Sequence, residues 1–210
     1  MKSLRLGIAA WAACMGYAGA ALAGPVADVS LSADLVVWTP SDYAETLRVF
    51  DRVPPSVGFQ VAARGARLVR PWLAIGGRLG WAMASADVDT QSAMGTDNPA
   101  APMQFHLFDA GALVRVLYAG GQRERGGLRL HADLEAGAVL GNVSTAAVTQ
   151  RWVRPRVDLS LFVGWQGRSP DLYVGARFGY QYVPWDGAGG SAFDPAFSGF
   201  HVGVEGGISP

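Results

Sequence analysis

The chain has 210 residues and a formal net charge of zero, and only 16% of its residues are charged although 50% are hydrophobic. The absence of net positive charge argues against a nucleic-acid partner, because binding to phosphates needs clustered Lys and Arg. The charged fraction is below the roughly 25% of soluble domains, so the chain has few charged residues with which to form the surface of a soluble protein. The length suits a single domain.

The N-terminal segment has the features of a secretory signal peptide. Two basic residues precede an apolar run over residues 7–20, and Ala-Leu-Ala before Gly24 is a small-x-small cleavage site. The apolar run falls short of the ~20 residues that a membrane-spanning helix needs. We therefore predict a signal peptide over residues 1–23, export through the Sec pathway, and one mature domain over residues 24–210.

The single cysteine, Cys14, lies within this predicted signal peptide. Lipidation of Cys14 is an alternative, although the residues before it lack the Leu that usually begins a lipobox. With the signal peptide removed, the mature chain has no cysteine. It can then form neither a disulfide nor a Cys-ligated metal site.

The mature chain shows apolar and polar residues in alternation, in segments of about ten residues, which is the pattern of transmembrane β-strands. The clearest segment, residues 128–141, places Leu128, Leu130 and Leu134 on one face and Arg129 and Asp133 on the other. Eight such segments are predicted: residues 29–38, 57–66, 72–84, 105–118, 128–141, 156–166, 171–182 and 199–208.

The connections between these segments alternate in length. Residues 67–71 and 167–170 form short turns, and residues 119–127 form a longer turn rich in glycine. The other four connections are mostly longer, at residues 39–56, 85–104, 142–155 and 183–198. Short turns at one end and long loops at the other are typical of an outer-membrane barrel.

Two features indicate that the apolar face points outward. Glycines fall mostly on the polar face, where the narrow interior of an eight-stranded barrel requires small residues. Aromatic residues of the apolar face collect near the strand ends, as in the two interfacial girdles of a membrane barrel. The predicted interface aromatics are Phe59, Trp81, Phe108, Tyr180, Tyr182 and Phe200 at the loop end and Tyr118 and Trp165 at the turn end.

With its signal peptide, eight amphipathic strands and alternating connections, the chain resembles the small outer-membrane barrels: the OmpA transmembrane domain, OmpX and Ail, the opacity proteins and OmpW. The resemblance implies an all-β, antiparallel, up-and-down transmembrane barrel in the outer membrane of a Gram-negative cell. It also implies contact with outer-membrane lipid, lipopolysaccharide and the barrel assembly machinery. The chain departs from the pattern at its last residues, 207–210, where such barrels usually end on an aromatic residue.

The polar face carries equal numbers of arginines and acids, and we predict that they form a charge network in the lumen. Buried charges must be paired and hydrogen-bonded, because unpaired ones cost several kcal/mol. The alternative is a narrow polar pore, although an eight-stranded interior leaves little room for water. The predicted network consists of Asp34, Arg64, Arg78, Asp109, Arg115, Arg129, Asp133, Glu135, Arg156, Asp158, Arg177 and Glu205.

The three histidines are the remaining candidates for chemistry. His131 lies near Asp133, and His201 lies near Glu205, but their strands, the fifth and the eighth, are not neighbours in a closed barrel. We therefore expect lumen hydrogen bonding and no joint site. His106, at the outer edge of the fourth strand, is predicted to be an interface residue.

The sequence also lacks the motifs of enzymes. Barrels that deacylate lipid A carry a His-x-Ser pair, whereas here Phe108, Asp133 and Gly203 follow the histidines at that spacing. No Gly-x-Ser-x-Gly elbow or phosphate-binding loop is present. We predict that the protein is not an enzyme and that it has no catalytic, metal or cofactor site.

The long loops are the remaining place for a specific function, because loops on a rigid scaffold commonly carry it. The last loop holds Trp185, Phe193 and Phe197 among glycines, a composition that suits either an extracellular ligand or packing on the barrel rim. We predict a structural or surface-interaction barrel of the outer membrane. The alternatives are a narrow channel for small solutes and a lipid-modifying enzyme.

Overall fold

The computed structural model describes residues 27–38, 52–53, 57–88, 103–120, 126–144, 149–167, 172–184 and 197–209. The predicted signal peptide and much of the long loops, including Trp185 and Phe193, lie outside the described residues. Among the residues that are described, no helix is long and apolar enough to cross a membrane.

The described chain consists of β-strands that pair antiparallel with their neighbours in a closed ring. The strands are β1 Ala27–Trp38, β2 Arg52–Val53, β3 Val57–Arg70, β4 Leu73–Val88, β5 Met103–Gly120, β6 Gly127–Ser144, β7 Thr149–Gln166, β8 Leu172–Tyr182 and β9 Gly199–Ile208. β2 pairs only with the loop end of β4 and is not a member of the ring. The ring therefore has eight strands in the order β1-β3-β4-β5-β6-β7-β8-β9, and it closes from β9 back to β1.

The register of the ladders sets the shape of the barrel. Following directly paired residues once around the ring from Leu73 on β4 leads back to β4 at Met83, a displacement of ten residues (83 − 73 = 10). Eight strands with this displacement tilt steeply against the barrel axis and enclose a space that side chains alone can fill. Side chains on different strands therefore meet across the lumen.

The outer face is apolar, and the inner face carries the charges. Leu31, Leu159 and Val204 on the outer face are exposed by 65%, 60% and 61%, whereas Arg177 and Glu205 on the inner face are fully buried. This arrangement is the reverse of a soluble barrel, and the closed ladder satisfies the backbone groups that a bilayer cannot. The structure confirms the predicted eight-stranded antiparallel transmembrane barrel.

The eight predicted interface aromatics all lie on the outer face. Trp81 and Tyr180 are half-buried there, and the other six are exposed. Tyr180 packs against Phe200 on the next strand, with ring centroids 4.9 Å apart. Aromatic pairs of this kind stabilise neighbouring strands at the level where the bilayer meets water.

The prediction of a loop over residues 142–155 was wrong for most of these residues, which lie in β-strands. β6 continues to Ser144 and β7 begins at Thr149, with Pro155 paired opposite Ala138. The pairing of β7 with β8 starts only at Val157, so Pro155 lies where that side of β7 is an unpaired edge. Proline is tolerated there because no hydrogen bond from its backbone nitrogen is required. The predicted turn over residues 67–71 is likewise shorter, because β3 continues to Arg70.

Glycines of the inner face allow neighbouring strands to approach without side chains between them. Gly111 pairs with Gly137, and a Cβ atom on Gly137 would lie 2.1 Å from the carbonyl oxygen of Ala110. On the outer face, by contrast, a Cβ atom on Gly77 would be 3.5 Å from the nearest atom. Glycine is therefore needed on the inner face for lack of space.

Candidate functional site

Among the described residues, the lumen contains fourteen buried charged side chains, seven arginines and seven acids, and the formal charges of these fourteen cancel. Each of them is at most 8% exposed. Twelve of these are the residues of the predicted charge network, and the structure adds one acid and one arginine to them. The arginines are Arg64, Arg78, Arg115, Arg129, Arg154, Arg156 and Arg177, and the acids are Asp28, Asp34, Asp109, Asp133, Glu135, Asp158 and Glu205.

Arg177 lies at the centre of this network. Its Nη1 atom is 2.7 Å from Asp133 Oδ2 and 2.9 Å from Glu205 Oε2. Its Nη2 atom is 3.0 Å from Glu135 Oε1 and also donates to Ser160. One guanidinium from β8 therefore joins acids from β6 and β9, as the fixed fork of donors in arginine allows.

Arg115 forms the second junction, nearer to the turn end. Its Nε and Nη2 atoms donate to the two carboxylate oxygens of Asp133 at 2.8 and 2.9 Å. Nη2 also donates to Glu205 at 2.9 Å, and Nη1 donates to the hydroxyl of Tyr173 at 3.0 Å. The Tyr173 hydroxyl in turn donates to Asp28 at 2.9 Å. Such bidentate, charge-assisted contacts are the strongest hydrogen bonds that proteins form.

On the other side of the lumen, Glu135 contacts three arginines in addition to Arg177. Arg64 Nε lies 2.6 Å from Oε1, and Arg78 Nε lies 2.9 Å from Oε2. Arg156 Nη1 lies 3.3 Å from Oε2, while its Nη2 atom lies 2.6 Å from Asp158. Because several arginines share Glu135, removal of one of these side chains alters several ion pairs.

The network thins toward the loop end. Arg78 also forms an ion pair with Asp109. Asp34 accepts a hydrogen bond from Ser32 at 3.0 Å, and its Oδ1 atom has no hydrogen-bond partner among the described residues. The Ser32 hydroxyl accepts a bond from Arg64 at 2.8 Å and so links Asp34 to the rest of the network.

Several participants were missing from the predicted network, and four of them show why. Asp28 lies just before the predicted first strand, and Arg154 lies in the predicted loop, although both have the parity of the inner face. Tyr173 and Ser32 were on the predicted polar face but carry no charge. Extending the alternation by one residue before Val29 would have found Asp28, which forms an ion pair with Arg129.

One of the predictions for the histidines was wrong. Although β6 and β9 are not neighbours, His131 Nε2 lies 3.3 Å from Glu205 Oε1, so the expectation that these strands share no site was wrong. Side chains of a narrow lumen reach across it, and strand adjacency is not required. His201 Nε2 lies 3.0 Å from Asp158 Oδ2. His106 lies on the outer face, half-buried.

Ligand atoms of His131, Asp133 and Glu205 lie within 4.8 Å of one another, a spacing that could suit a metal ion. Both carboxylates, however, already contact the guanidinium groups of Arg115 and Arg177. A divalent cation at this position would have to displace or repel two buried positive charges. The arrangement therefore favours a structural role for all three side chains.

Above the charges, the loop end of the lumen is closed by an aromatic cap, which consists of Trp38, Phe105, Trp152 and Phe197. The ring of Phe197 is central: its centroid lies 5.1 Å from Trp38, 5.4 Å from Phe105 and 6.0 Å from Trp152. All four side chains are at most 9% exposed. Phe197, predicted to lie in a loop, thus packs inside the barrel mouth.

The turn end is closed in another way. The rings of His131 and Phe162 stack with centroids 4.5 Å apart, and Tyr173 packs edge-on against Phe162 at 5.5 Å. The guanidinium carbon of Arg129 lies 3.9 Å from the centre of the Tyr173 ring, a cation–π contact. The described lumen is therefore filled by aromatic rings at both ends and by paired charges between them.

No protein-family model and no curated protein matches this chain. Among solved structures, the attachment invasion locus protein Ail of Yersinia pestis matches 88% of this chain and 98% of its own, with 8% identity and a TM-score of 0.49. Neisserial surface protein A matches 87% of this chain and 95% of its own, with 11% identity and a TM-score of 0.46. The N-terminal β-barrel domain of Pseudomonas aeruginosa OprF matches 87% and 97%, with 10% identity and a TM-score of 0.43. The closed ladder and apolar exterior of this chain make it an eight-stranded transmembrane barrel of the outer-membrane type.

Proposed function

We propose that this protein is a non-conducting barrel of the outer membrane, with a structural or surface-interaction role. The observation that carries the proposal is the filled lumen, in which Arg177 and Arg115 bridge acids from facing walls. A pore needs a continuous column of water, whereas here side chains occupy the interior that eight strands enclose.

The outer surface supports the same assignment. Its apolar belt ends in aromatic residues at both levels, which suits a bilayer and contact with lipid and lipopolysaccharide. Delivery to that membrane would require Sec export and the barrel assembly machinery. An extracellular ligand would bind through the long loops, the part of a rigid scaffold that commonly carries recognition.

An enzymatic role has little support in the described residues. The two lumen histidines face acids that are themselves paired with arginines, so no nucleophile and base are left together. The lipid-modifying alternative is tested by mass spectra of lipid A from cells with and without the protein. Unchanged spectra are expected.

The narrow channel is the alternative to test directly, through conductance in planar bilayers. We expect the purified wild type to show no steady openings. Arg115→Ala should give brief leak currents, because it removes the guanidinium that joins Asp133, Glu205 and Tyr173. Adding Phe197→Ala should increase the leak, since that change also opens the aromatic cap.

The matched control is Arg67→Ala, which removes an exposed arginine of β3 that faces away from the lumen. It should remain as silent as the wild type. Heat-modifiable migration in detergent gels verifies that each variant is a closed barrel. Steady, ohmic openings of the wild type would overturn the proposal and favour the channel.

A further inference from the structure

Asp34 is an acid of the lumen that has no arginine partner among the described residues. Each of the other six acids forms at least one ion pair with an arginine. Within the described part of the chain, the Ser32 hydroxyl donates to Asp34 Oδ2 at 3.0 Å, and Oδ1 has no partner. Asp34 is nevertheless only 1% exposed. A carboxylate that leaves water without a compensating charge strongly destabilises a fold.

The residues next to Asp34 in the sheet supply no positive charge. Its directly paired neighbours are Gln60 on β3 and Gly203 on β9. Along the inner face of β1 it is flanked by Ser32 and Val36. All four are uncharged, so none of them compensates the carboxylate.

The charged and titratable side chains of the adjoining strands contact other partners. Arg64 on β3 donates to Ser32 and forms ion pairs with acids of β6 and β9. His201 on β9 lies with Nε2 3.0 Å from Asp158 Oδ2. The formal balance of the fourteen lumen charges therefore provides no contact between Asp34 and a positive charge.

Gln60 provides a second unpartnered polar group at the same place. It is 1% exposed, and its amide nitrogen has no hydrogen-bond partner among the described residues. Directly opposed side chains on one face of a sheet have Cβ atoms ~4.5–5.5 Å apart, so Asp34 and Gln60 can contact one small ion together. A half-turn about the last side-chain bond exchanges the nitrogen and oxygen of the amide, so Gln60 can present its carbonyl oxygen to that ion.

We infer that Asp34 Oδ1 and the Gln60 amide oxygen bind a monovalent alkali cation in the lumen. Carboxylate and amide oxygens are the ligands that hard cations prefer. A single carboxylate balances one positive charge, so a monovalent ion leaves no excess. The site differs from the cluster of His131, Asp133 and Glu205, whose carboxylates already contact guanidinium groups. The inference does not depend on whether the lumen conducts.

The stability of the full protein in different salts tests this inference. Urea titrations in lipid vesicles are compared in the chlorides of sodium, potassium and rubidium and in choline chloride, at equal ionic strength. Choline carries the same charge but is too large to fit between two directly paired side chains. We expect the ratio of folded to unfolded protein to rise about tenfold when the preferred alkali cation is present at about ten times its dissociation constant.

Asp34→Asn removes the charge and keeps the shape of the side chain and an oxygen for Ser32. Its stability should be the same in all four salts, and in choline chloride it should be at least as stable as the wild type. Gln60→Leu keeps the carboxylate but removes the second ligand. It should need a several-fold higher concentration of the alkali cation for the same stabilisation.

Asp28→Asn is the matched control, because it removes a buried acid that is paired with Arg129. It should keep the tenfold response to the alkali cation. All variants are compared after heat-modifiable migration has shown that they are folded. Equal stability of the wild type in all four salts would overturn the inference, and would mean that a proton or water alone satisfies Asp34. An unchanged response in Asp34→Asn or in Gln60→Leu would also overturn it.

Discussion

The middle of the lumen and its loop end are both occupied by buried side chains, but the side chains are of opposite kinds. In the middle, Arg115 and Arg177 each bond to acids from more than one strand. At the loop end, the aromatic cap fills the same cross-section with Trp38, Phe105, Trp152 and Phe197. A narrow barrel can therefore be closed either by hydrogen-bonded ion pairs, which depend on direction, or by packed aromatic rings, which depend only on contact.

The stability of the barrel should respond differently to the loss of a charged side chain and to the loss of an aromatic one. Removing one member of a buried ion pair leaves its partner charged and without compensation, which is strongly destabilising. Removing part of an apolar cluster costs only the lost contact and whatever cavity remains. Variants in the two regions should therefore separate by the size of their effects.

The largest effect is expected for Arg177→Met, which keeps the stem of the side chain and removes its charge. Asp133, Glu135 and Glu205 each lose a hydrogen bond. We expect the free energy of unfolding to fall by ~3–5 kcal/mol, the usual cost of breaking a buried pair. Urea titration in lipid vesicles, followed by circular dichroism, measures the change.

Adding Glu205→Gln to Arg177→Met sharpens this result, because it makes the numbers of positive and negative charges equal again. The double variant should be more stable than the sum of the two single effects predicts, by about 1–3 kcal/mol. Arg67→Met, at an exposed outer position, is the control and should stay within about 0.5 kcal/mol of the wild type. Strict additivity of the two lumen changes would mean that the network has no coupling.

A smaller effect is expected for Gly141→Ala beneath the aromatic cap. The added Cβ atom would lie 2.0 Å from Cε2 of Trp152, so the indole would have to move. Such overpacking costs about 1–3 kcal/mol. In a Trp152→Ala background the same change should cost much less, and an equal cost in both backgrounds would contradict the packing of Trp152 on Gly141.

The smallest effect is expected for Trp152→Phe. The indole N–H of Trp152 is buried and has no hydrogen-bond partner among the described residues. Replacing the indole with a phenyl ring removes that unsatisfied donor, which offsets part of the lost contact area. The unfolding free energy should change by no more than about 1 kcal/mol, in the same titration. A loss comparable to that of Arg177→Met would show that the cap is as specific as the charged network.

The sequence predicted one of these regions much better than the other. Alternation identifies Arg115, Asp133 and Arg177 as inward-facing, because charged residues interrupt an apolar face at period two. The cap escapes this reasoning, since Phe105 and Trp152 are apolar on a face expected to be polar. Where the strands extend above the bilayer, the outer face no longer needs to be apolar. There, the alternation of apolar and polar residues no longer indicates which side chains point inward.

The ends of the strands were also difficult to predict from the sequence. Asn142 and Pro155 carry turn and strand-breaking propensities, yet both lie in paired strands, because tertiary pairing overrides local preference. The contact between His131 and Glu205 was equally hidden. The distance between these two side chains depends on the ten-residue displacement of the register around the ring. Alternation shows which face a residue occupies, but it does not give this displacement.

The pairing of Asp28 with Arg129 has a consequence for how the barrel forms. These residues are separated by 101 positions in sequence, and they join the first strand of the ring to the fifth. Arg115 and Glu205 are separated by 90 positions. Contacts of such high sequence separation form slowly, because loop-closure entropy must be overcome first. We expect the charges to remain hydrated until β1 meets β9, so that ring closure, expulsion of water and neutralisation of the lumen occur as a single late event in folding.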